Sequence, residues 1–239
     1  MHSILIKANA MPNSVVPKRR NTGLIDLTKV EIPITRNPVS PERAEAIRRA
    51  VQGASTMPSA TGGSRLAQPS DAEAFLEFLQ DPAIHAPIYT LPRPLTLASL
   101  GDFIADHLEQ RERGEGLLFL NFTEDDRLSG YTDLIIWPQW AAGELGGAVR
   151  SDLQGQRRGV EGAKTGFNWM FEVLQLDLIC ETAAPDNIRS ARLLGGLGFK
   201  RKGEVTSHRP DGGTRASLVW EINREDWGNV VWRDKTKAH

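Results

Sequence analysis

Two apolar runs, at residues 117–122 and 128–137, flank the charged turn Glu124-Asp125-Asp126-Arg127, and no other feature restricts this chain's fold as tightly. Short runs of Leu, Ile and aromatic residues bounded by such a turn read as strands. A strand pair must bury its apolar face on other elements, so the flanking segments decide the class. Upstream, Ser70-Asp71-Ala72-Glu73 reads as a capping box, with Ser70 serving the amide of Glu73 and the glutamate reaching back. Ala72, Phe75, Leu76 and Leu79 then form one stripe, widened by Phe78 and stopped at Asp81-Pro82. A second helix is expected over 96–113, with Leu100, Phe103, Ile104 and Leu108 inward.

Downstream, a strand is expected over 144–150 and a Gly- and Arg-rich loop over 154–162. A helix should follow that loop, carrying Ala163, Phe167, Met170, Phe171 and Leu174 on one face. Residues 178–182 read as a short buried strand. Residues 187–197 read as a helix closed by Gly198, the residue type suited to the left-handed position after a helix end. Strands at 199–205 and 215–222 pair around Pro210-Asp211-Gly212-Gly213. Two helices, three strands, a helix, a strand, a helix and two strands make an α/β (α+β) mixed sandwich, not an alternating doubly wound fold.

Residues 1–61 differ from the rest. Prolines interrupt them at 12, 17, 33, 38 and 41, and residues 53–63 are rich in Gly, Ser, Thr and Ala, the composition of a linker. Between these, Ser40-Pro41 marks a helix start, and Ala44, Ile47 and Val51 recur at helical spacing. This arm is a candidate either for packing on the domain or for joining two copies as a homodimer. The expected organisation is an arm and linker at 1–61, a domain at 62–228 and a tail at 229–239.

A net charge of −1 supplies no electrostatic reason to bind nucleic acid. The single Cys180 excludes an intramolecular disulfide and cannot alone build a zinc site. No apolar run approaches a bilayer span and no secretory signal opens the chain, so no membrane partner is expected and the cytoplasm is the expected compartment.

Two segments carry candidate chemistry. The first is the strand–loop–helix at 144–174. Gly155, Gly159 and Gly162 allow a close backbone approach before a helix, Arg157 and Arg158 add positive charge, and a helix N-terminus offers unpaired amides to an anion. The same loop is also compatible with a plain turn, and it is neither a Walker loop nor Gly-x-Gly-x-x-Gly. The second is Ala184-Pro185-Asp186-Asn187-Ile188-Arg189-Ser190-Ala191, which puts Asn187 and Ser190 three apart at a helix mouth just past a strand's carboxyl end. Asn187 is equally suited to capping that helix. His85, His107 and His208 are dispersed and read as surface or packing residues, Cys180 reads as core, and Trp137 and Trp140 fit either an acceptor rim or packing.

Taken together, Asn187-x-x-Ser190, the small-residue helix, Gly198-Phe199 and the basic strand after them resemble the GNAT N-acetyltransferase superfamily. More narrowly, the chain is similar to the branch containing the enzymes that acetylate ribosomal-protein N-termini. Ser64-Arg65-Leu66, Glu144-Leu145-Gly146, the helix end at 169–174 and residues 220–227 fit that branch as well. The family's loop, Gln/Arg-x-x-Gly-x-Gly/Ala, appears as Gln156-Arg157-Arg158-Gly159-Val160-Glu161, with Gly162 one position late. Glu161 should therefore turn its carboxylate away from a pyrophosphate.

The resemblance implies an N-acetyltransferase with acetyl-CoA as cosubstrate, a primary amine of a small molecule or a protein N-terminus as acceptor, and no metal. Acetyl-CoA would lie between the splayed strands of Glu144 and Cys180. Its pantetheine would meet the backbone near Val149, and its pyrophosphate would meet the amides of Arg157, Arg158, Gly159, Val160, Glu161 and Gly162. Glu144 is the expected base, with Asp133 and Glu181 behind it. Ser190 would protonate the leaving thiolate and Asn187 would anchor the pantetheine arm. A catalytically silent CoA-binding module and an enzyme using a longer acyl-CoA stay open beside this reading.

Overall fold

Ser40 starts the first helix, α1 (Pro41–Gly53): its Oγ accepts the Arg43 amide, and Pro41 occupies a position whose N–H needs no partner. Ile47 and Val51 on one side of α1 are fully buried in the main core. Of the two roles left open for the arm, α1 therefore packs on the domain. Ala54 and Met57, inside the segment that reads as linker, join the same core. The computed structural model describes residues 32–59, 61–154, 158–209 and 211–237.

After α1 come β1 (Ser64–Leu66), a 3-10 turn at Pro69–Asp71, α2 (Ala72–Phe78), α3 (Pro82–His85) and α4 (Leu97–Arg113). Next are β2 (Gly116–Phe122), β3 (Leu128–Trp137), β4 (Ala142–Val149), α5 (Arg158–Glu172) and β5 (Leu178–Ala183). The chain continues with α6 (Ile188–Gly196), β6 (Lys200–His208), β7 (Thr214–Asn223) and α7 (Arg224–Lys237). The strands form one sheet in the order β1-β2-β3-β4-β5-β7-β6, antiparallel at every junction except β4–β5. The mixed α/β architecture expected from the element order is thus observed.

Cross-strand register sorts the side chains onto two faces. Leu117, Phe119, Leu134, Ile136 and Ile179 meet Phe167, Met170 and Phe171 of α5 in the larger core. Leu118, Leu120 and Tyr131 turn to the other face, against Phe75 of α2 and Leu100 and Ile104 of α4. Each fully buried side chain of this size stabilises the fold by about 1.5–3 kcal/mol relative to exposure.

Three local expectations change. The capping box sits two residues earlier than Ser70: Asp71 accepts the amide of Gln68 at 2.7 Å and holds Arg65 through both guanidinium nitrogens at 2.7 and 2.8 Å. An arginine fork six residues away, on β1, outcompetes the weaker local cap. Helix α5 begins at Arg158, so Gly159, Val160, Glu161 and Gly162 are its first turns and not a loop before it. The chain after β7 forms α7, whose Trp227 packs on Phe167 and Phe171. The reading of α6 holds, with Gly198 at φ +86°.

Candidate active site

The sheet opens where its one parallel junction fails. Strands β4 and β5 pair only at Ala142↔Leu178 and Gly143↔Ile179, after which they part. On the other side β4 stays zipped to β3 from Trp137↔Ala142 to Gly130↔Val149. Splaying is tolerated because side chains take over from the missing ladder. Glu144 Oε1 accepts the Thr182 amide at 3.1 Å and the Thr182 hydroxyl at 2.6 Å, while Glu181 Oε1 accepts the Leu145 amide at 2.9 Å. A buried strand edge must satisfy its polar groups somewhere; here two glutamates do it at the mouth of a fork.

The two carboxyls lie on opposite faces. Glu144, opposite Ile135, shares its face with Asp133 and Tyr131; Glu181 is buried on the face toward α5. Burial raises the Glu144 pKa to about 7, offset in part by the Thr182 hydroxyl and supported by the charge of Asp133. Burial pushes Glu181 well above the ordinary carboxyl range, and Glu144 adds to that shift. A carboxyl near 7 beside a gap is poised to exchange protons at neutral pH.

Beyond the fork the β4 edge is bare. Gly146 and Gly147 are exposed, and a Cβ on Gly146 would meet nothing nearer than Asp133 at 3.8 Å. Gly147, at φ +141°, has no room for any side chain, since a Cβ there would lie 2.2 Å from the Tyr131 carbonyl oxygen. Because the Leu145 amide points into the gap, Gly147 and Val149 face the same way by the two-residue repeat. The Val149 carbonyl accepts from Gln154 Nε2 at 3.0 Å.

Helix α5 points its N-terminus toward this region. Its first amides, from Arg158 to Glu161, have no partner within the helix; Gly162, the fifth residue, falls within reach of the Arg158 carbonyl. Glu161 turns outward as expected, 63% exposed and 3.8 Å from Lys164. Gln156 and Arg157 lie outside the described residues. At α6, Asn187 Oδ1 accepts the Ser190 amide at 3.0 Å, the cap its position allowed, and Ser190 stays half-buried on the first turn.

The structure brings Glu144, Val149, the start of α5, Asn187 and Ser190 around the two ends of the strands that part. It removes Trp137 from the site, since that ring is buried in a core cluster, while Trp140 stacks with Arg36. Cys180 is buried, as expected. Thr182 and His107 had no usable signal in the sequence, and Asp133, an alternative base on the resemblance, is instead paired with His107. Thr182 is an ordinary strand residue until it meets Glu144. His107 and Asp133, 26 residues apart, join at 2.9 Å with 6% of each residue exposed, and His107 Nδ1 donates to the Phe103 carbonyl at 2.8 Å. Burial alone would lower the His107 pKa, but Asp133 outweighs it, and the net shift is upward.

A family model described as an acetyltransferase (GNAT) domain matches residues 65–200, more than half of the chain and all of the fork. The chain belongs to the GNAT acetyltransferase family. Among curated proteins none matches its sequence significantly. Solved structures of similar fold include a ribosomal-protein-S5-alanine acetyltransferase from Vibrio fischeri, with a TM-score of 0.57 and 21% identity over 69% of this chain and 93% of that one. RimJ from Mycobacterium smegmatis, in complex with CoA-disulfide, gives 0.60 and 20% identity over 72% and 87%. Spermidine N-acetyltransferase from Vibrio cholerae, in complex with CoA and spermine, gives 0.58 and 16% identity over 69% and 96%. Among the described residues of this GNAT chain no helix is long and apolar enough to cross a membrane.

Proposed function

We propose that this GNAT protein is an acetyl-CoA-dependent N-acetyltransferase that transfers an acetyl group to a primary amine by direct attack in a ternary complex. The observation that carries the reading is the fork: two register pairs between β4 and β5, then a gap with Glu144 at its apex and a pKa near 7. A thioester tail needs such a slot, lined by backbone amides and free of side chains, and Gly146 and Gly147 leave it clear.

In this reading the amides of Arg158 to Glu161 hold the pyrophosphate, with Gln156, Arg157 and the interior Gly162 flanking them. The backbone at Gly147 and Val149 pairs with the pantetheine, which displaces the Gln154 side chain. Asn187 keeps Oδ1 on its helix cap and offers its side-chain NH₂ to the same arm. Glu144 takes the proton of the attacking amine as nitrogen bonds to the acetyl carbon. The C–S bond then breaks, and the Ser190 hydroxyl relays a proton to the sulfur while taking one from solvent, releasing the thiol. The Leu145 amide stabilises the oxyanion once it leaves Glu181, whose burial raises its pKa and so weakens it as an acceptor. Alignment does much of the work, because the thioester is already activated.

Thiol release from acetyl-CoA in the presence of an amine panel tests the reading. Transfer should appear with an acetyl donor and weaken with longer acyl-CoAs. Acetyl-CoA binding without turnover on any amine would sink it in favour of a silent module. Asn187→Ala should weaken acetyl-CoA by about tenfold in calorimetry; unchanged affinity removes that residue from the site.

A further inference from the structure

The face of the sheet that carries Glu144 has a second cluster of chemistry past the end of β5. Stepping two residues at a time along β7 from Glu221, opposite Cys180, places Val219, Ser217 and Arg215 on that face. Strand β5 ends at Ala183↔Leu218, so Arg215 stands beyond it, beside the widening gap. It comes close enough to Glu144 to feel its charge. From the other side, Tyr131 of β3 borders the gap. The connection between α3 and α4 roofs it: Pro87 accepts from Arg215 at 3.5 Å, and the Tyr89 ring lies against two guanidiniums, Arg215 at 4.3 Å and Arg209 at 4.6 Å.

Arg93, in the same connection, donates to the carbonyls of Pro92 and His85 and lies within electrostatic reach of Arg209. Three guanidiniums thus converge, and the acid in ion-pair range among the described residues is Asp211, 3.7 Å from Arg209. Asp186 and Glu144 act on Arg215 only from farther away. Burial and the neighbouring Arg209 both pull Arg215 below its ordinary pKa, the signature of a cation short of counter-charge. Three polar atoms at this place are buried with no partner: Arg209 Nε, Arg215 Nε and the hydroxyl of Tyr131, a residue 2% exposed. Buried donors left unpaired are costly and point to a ligand that completes them.

We propose that Arg93, Arg209 and Arg215 are the acceptor-recognition site and that the acceptor is an amine carrying a carboxylate a few bonds away. Its nitrogen lies at Glu144 and its acid group among the guanidiniums. The planar fork of arginine suits a carboxylate, and the same three charges repel a polyamine. The proposal rests on the acetyltransferase reading of the fork. The group-transfer step is the one given above.

The test uses the full chain with acetyl-CoA and matched pairs of acceptors: free amino acids against their carboxamides, peptides with Asp or Glu in the second position against Asn or Gln, and spermidine. The carboxylate member of a pair should be favoured in kcat/KM by about tenfold to a hundredfold, mainly through KM. The free and peptide pairs show which source of the acid fits. Arg215→Gln, which keeps a planar group on Tyr89, and Arg93→Gln should each collapse that ratio toward one while acetyl-CoA still binds. A preference for carboxamides or spermidine, or a ratio that survives both substitutions, overturns the proposal while leaving the transferase reading intact. Binding of N-acetylated acids provides a readout free of turnover. Arginine-dependent binding without any transfer would keep the recognition site and remove the transferase reading, and an unsubstituted protein that neither binds the N-acetylated acids nor acetylates the free acids would remove the proposal.

Discussion

One strand, β4, has two very different edges. Toward β3 it is zipped along eight register pairs, and toward β5 it holds for two and then leaves its neighbour. Each edge keeps an acid on the same face, buried Asp133 on the zipped side and half-buried Glu144 at the fork. Asp133 is met by an imidazole that can become a cation. Glu144 is met by the neutral donors of Thr182. The contrast teaches that the acid's partner, as well as the broken ladder, distinguishes the reactive edge. A buried acid matched with a cation is costly to separate from it, whereas the half-buried Glu144, matched with dipoles alone, is held near 7.

The largest effect is expected on the zipped side. His107→Ala leaves Asp133 buried without its partner, at a cost of about 3–5 kcal/mol, seen as a lower thermal midpoint. Because the His107 pKa is raised on folding, its contribution is complete below the unfolded value near 6.5 and fades as pH rises through the folded value. The gap between wild type and variant should therefore narrow at alkaline pH, and a gap that widens would contradict the pairing.

At the fork, Glu144→Gln should cost activity more than stability. A fall in kcat of about 10²–10³-fold, or roughly 3–4 kcal/mol, is expected for loss of a general base. The wild-type rate should rise with pH through about 7, and that limb should vanish in the variant. The sign for stability is opposite. A carboxyl raised on folding favours the fold fully below its unfolded value near 4.5 and loses that contribution as pH rises to about 7. Glu144→Gln should thus gain on wild type across that window, by at most about 3 kcal/mol before allowing for the carboxyl's partial exposure. Equal rates for the two proteins would place the base elsewhere.

Thr182→Val keeps the strand and removes the shortest hydrogen bond to Glu144. About 1 kcal/mol of stability should go with it, and the rising limb of the pH–rate profile should move upward. No movement would show that the bond does not tune the base. The smallest effect belongs to Glu161→Ala at the start of α5. Its carboxylate is exposed and faces Lys164, so stability should change by a few tenths of a kcal/mol and calorimetry should find acetyl-CoA affinity the same or slightly higher. A large loss would mean that Glu161 has a role in the site beyond its amide.

Local patterns made much of the molecule legible. Helix α4 falls within a residue of its expected span, Gly198 closes α6, and the 128–137 run is β3 to the residue. Such features rest on contacts within a few positions, which a linear reading can reach. The first turns of α5 were less legible: glycines favour a loop on propensity, yet Val160 and Ala163 pack on the core and carry the helix back to Arg158. The pairing of Gln68 with Asp71 was missed for a related reason, since Arg65 decides it by reaching Asp71 from β1.

By itself the sequence determined most of the elements, their order and the places of Asn187 and Ser190 at a helix start, because periodicity and capping are short-range physics. The elements β1, α3 and α7 were not read from it, and Glu144, expected to begin its strand, is the third residue of β4. Only the tertiary structure decided that β4 and β5 part after Gly143, that Thr182 and Glu181 bridge the opening, and that His107 finds Asp133. It alone gathered three arginines around Tyr89. Those facts depend on which atoms are excluded from water together, and burial is a property of the packed sheet, not of any segment within it.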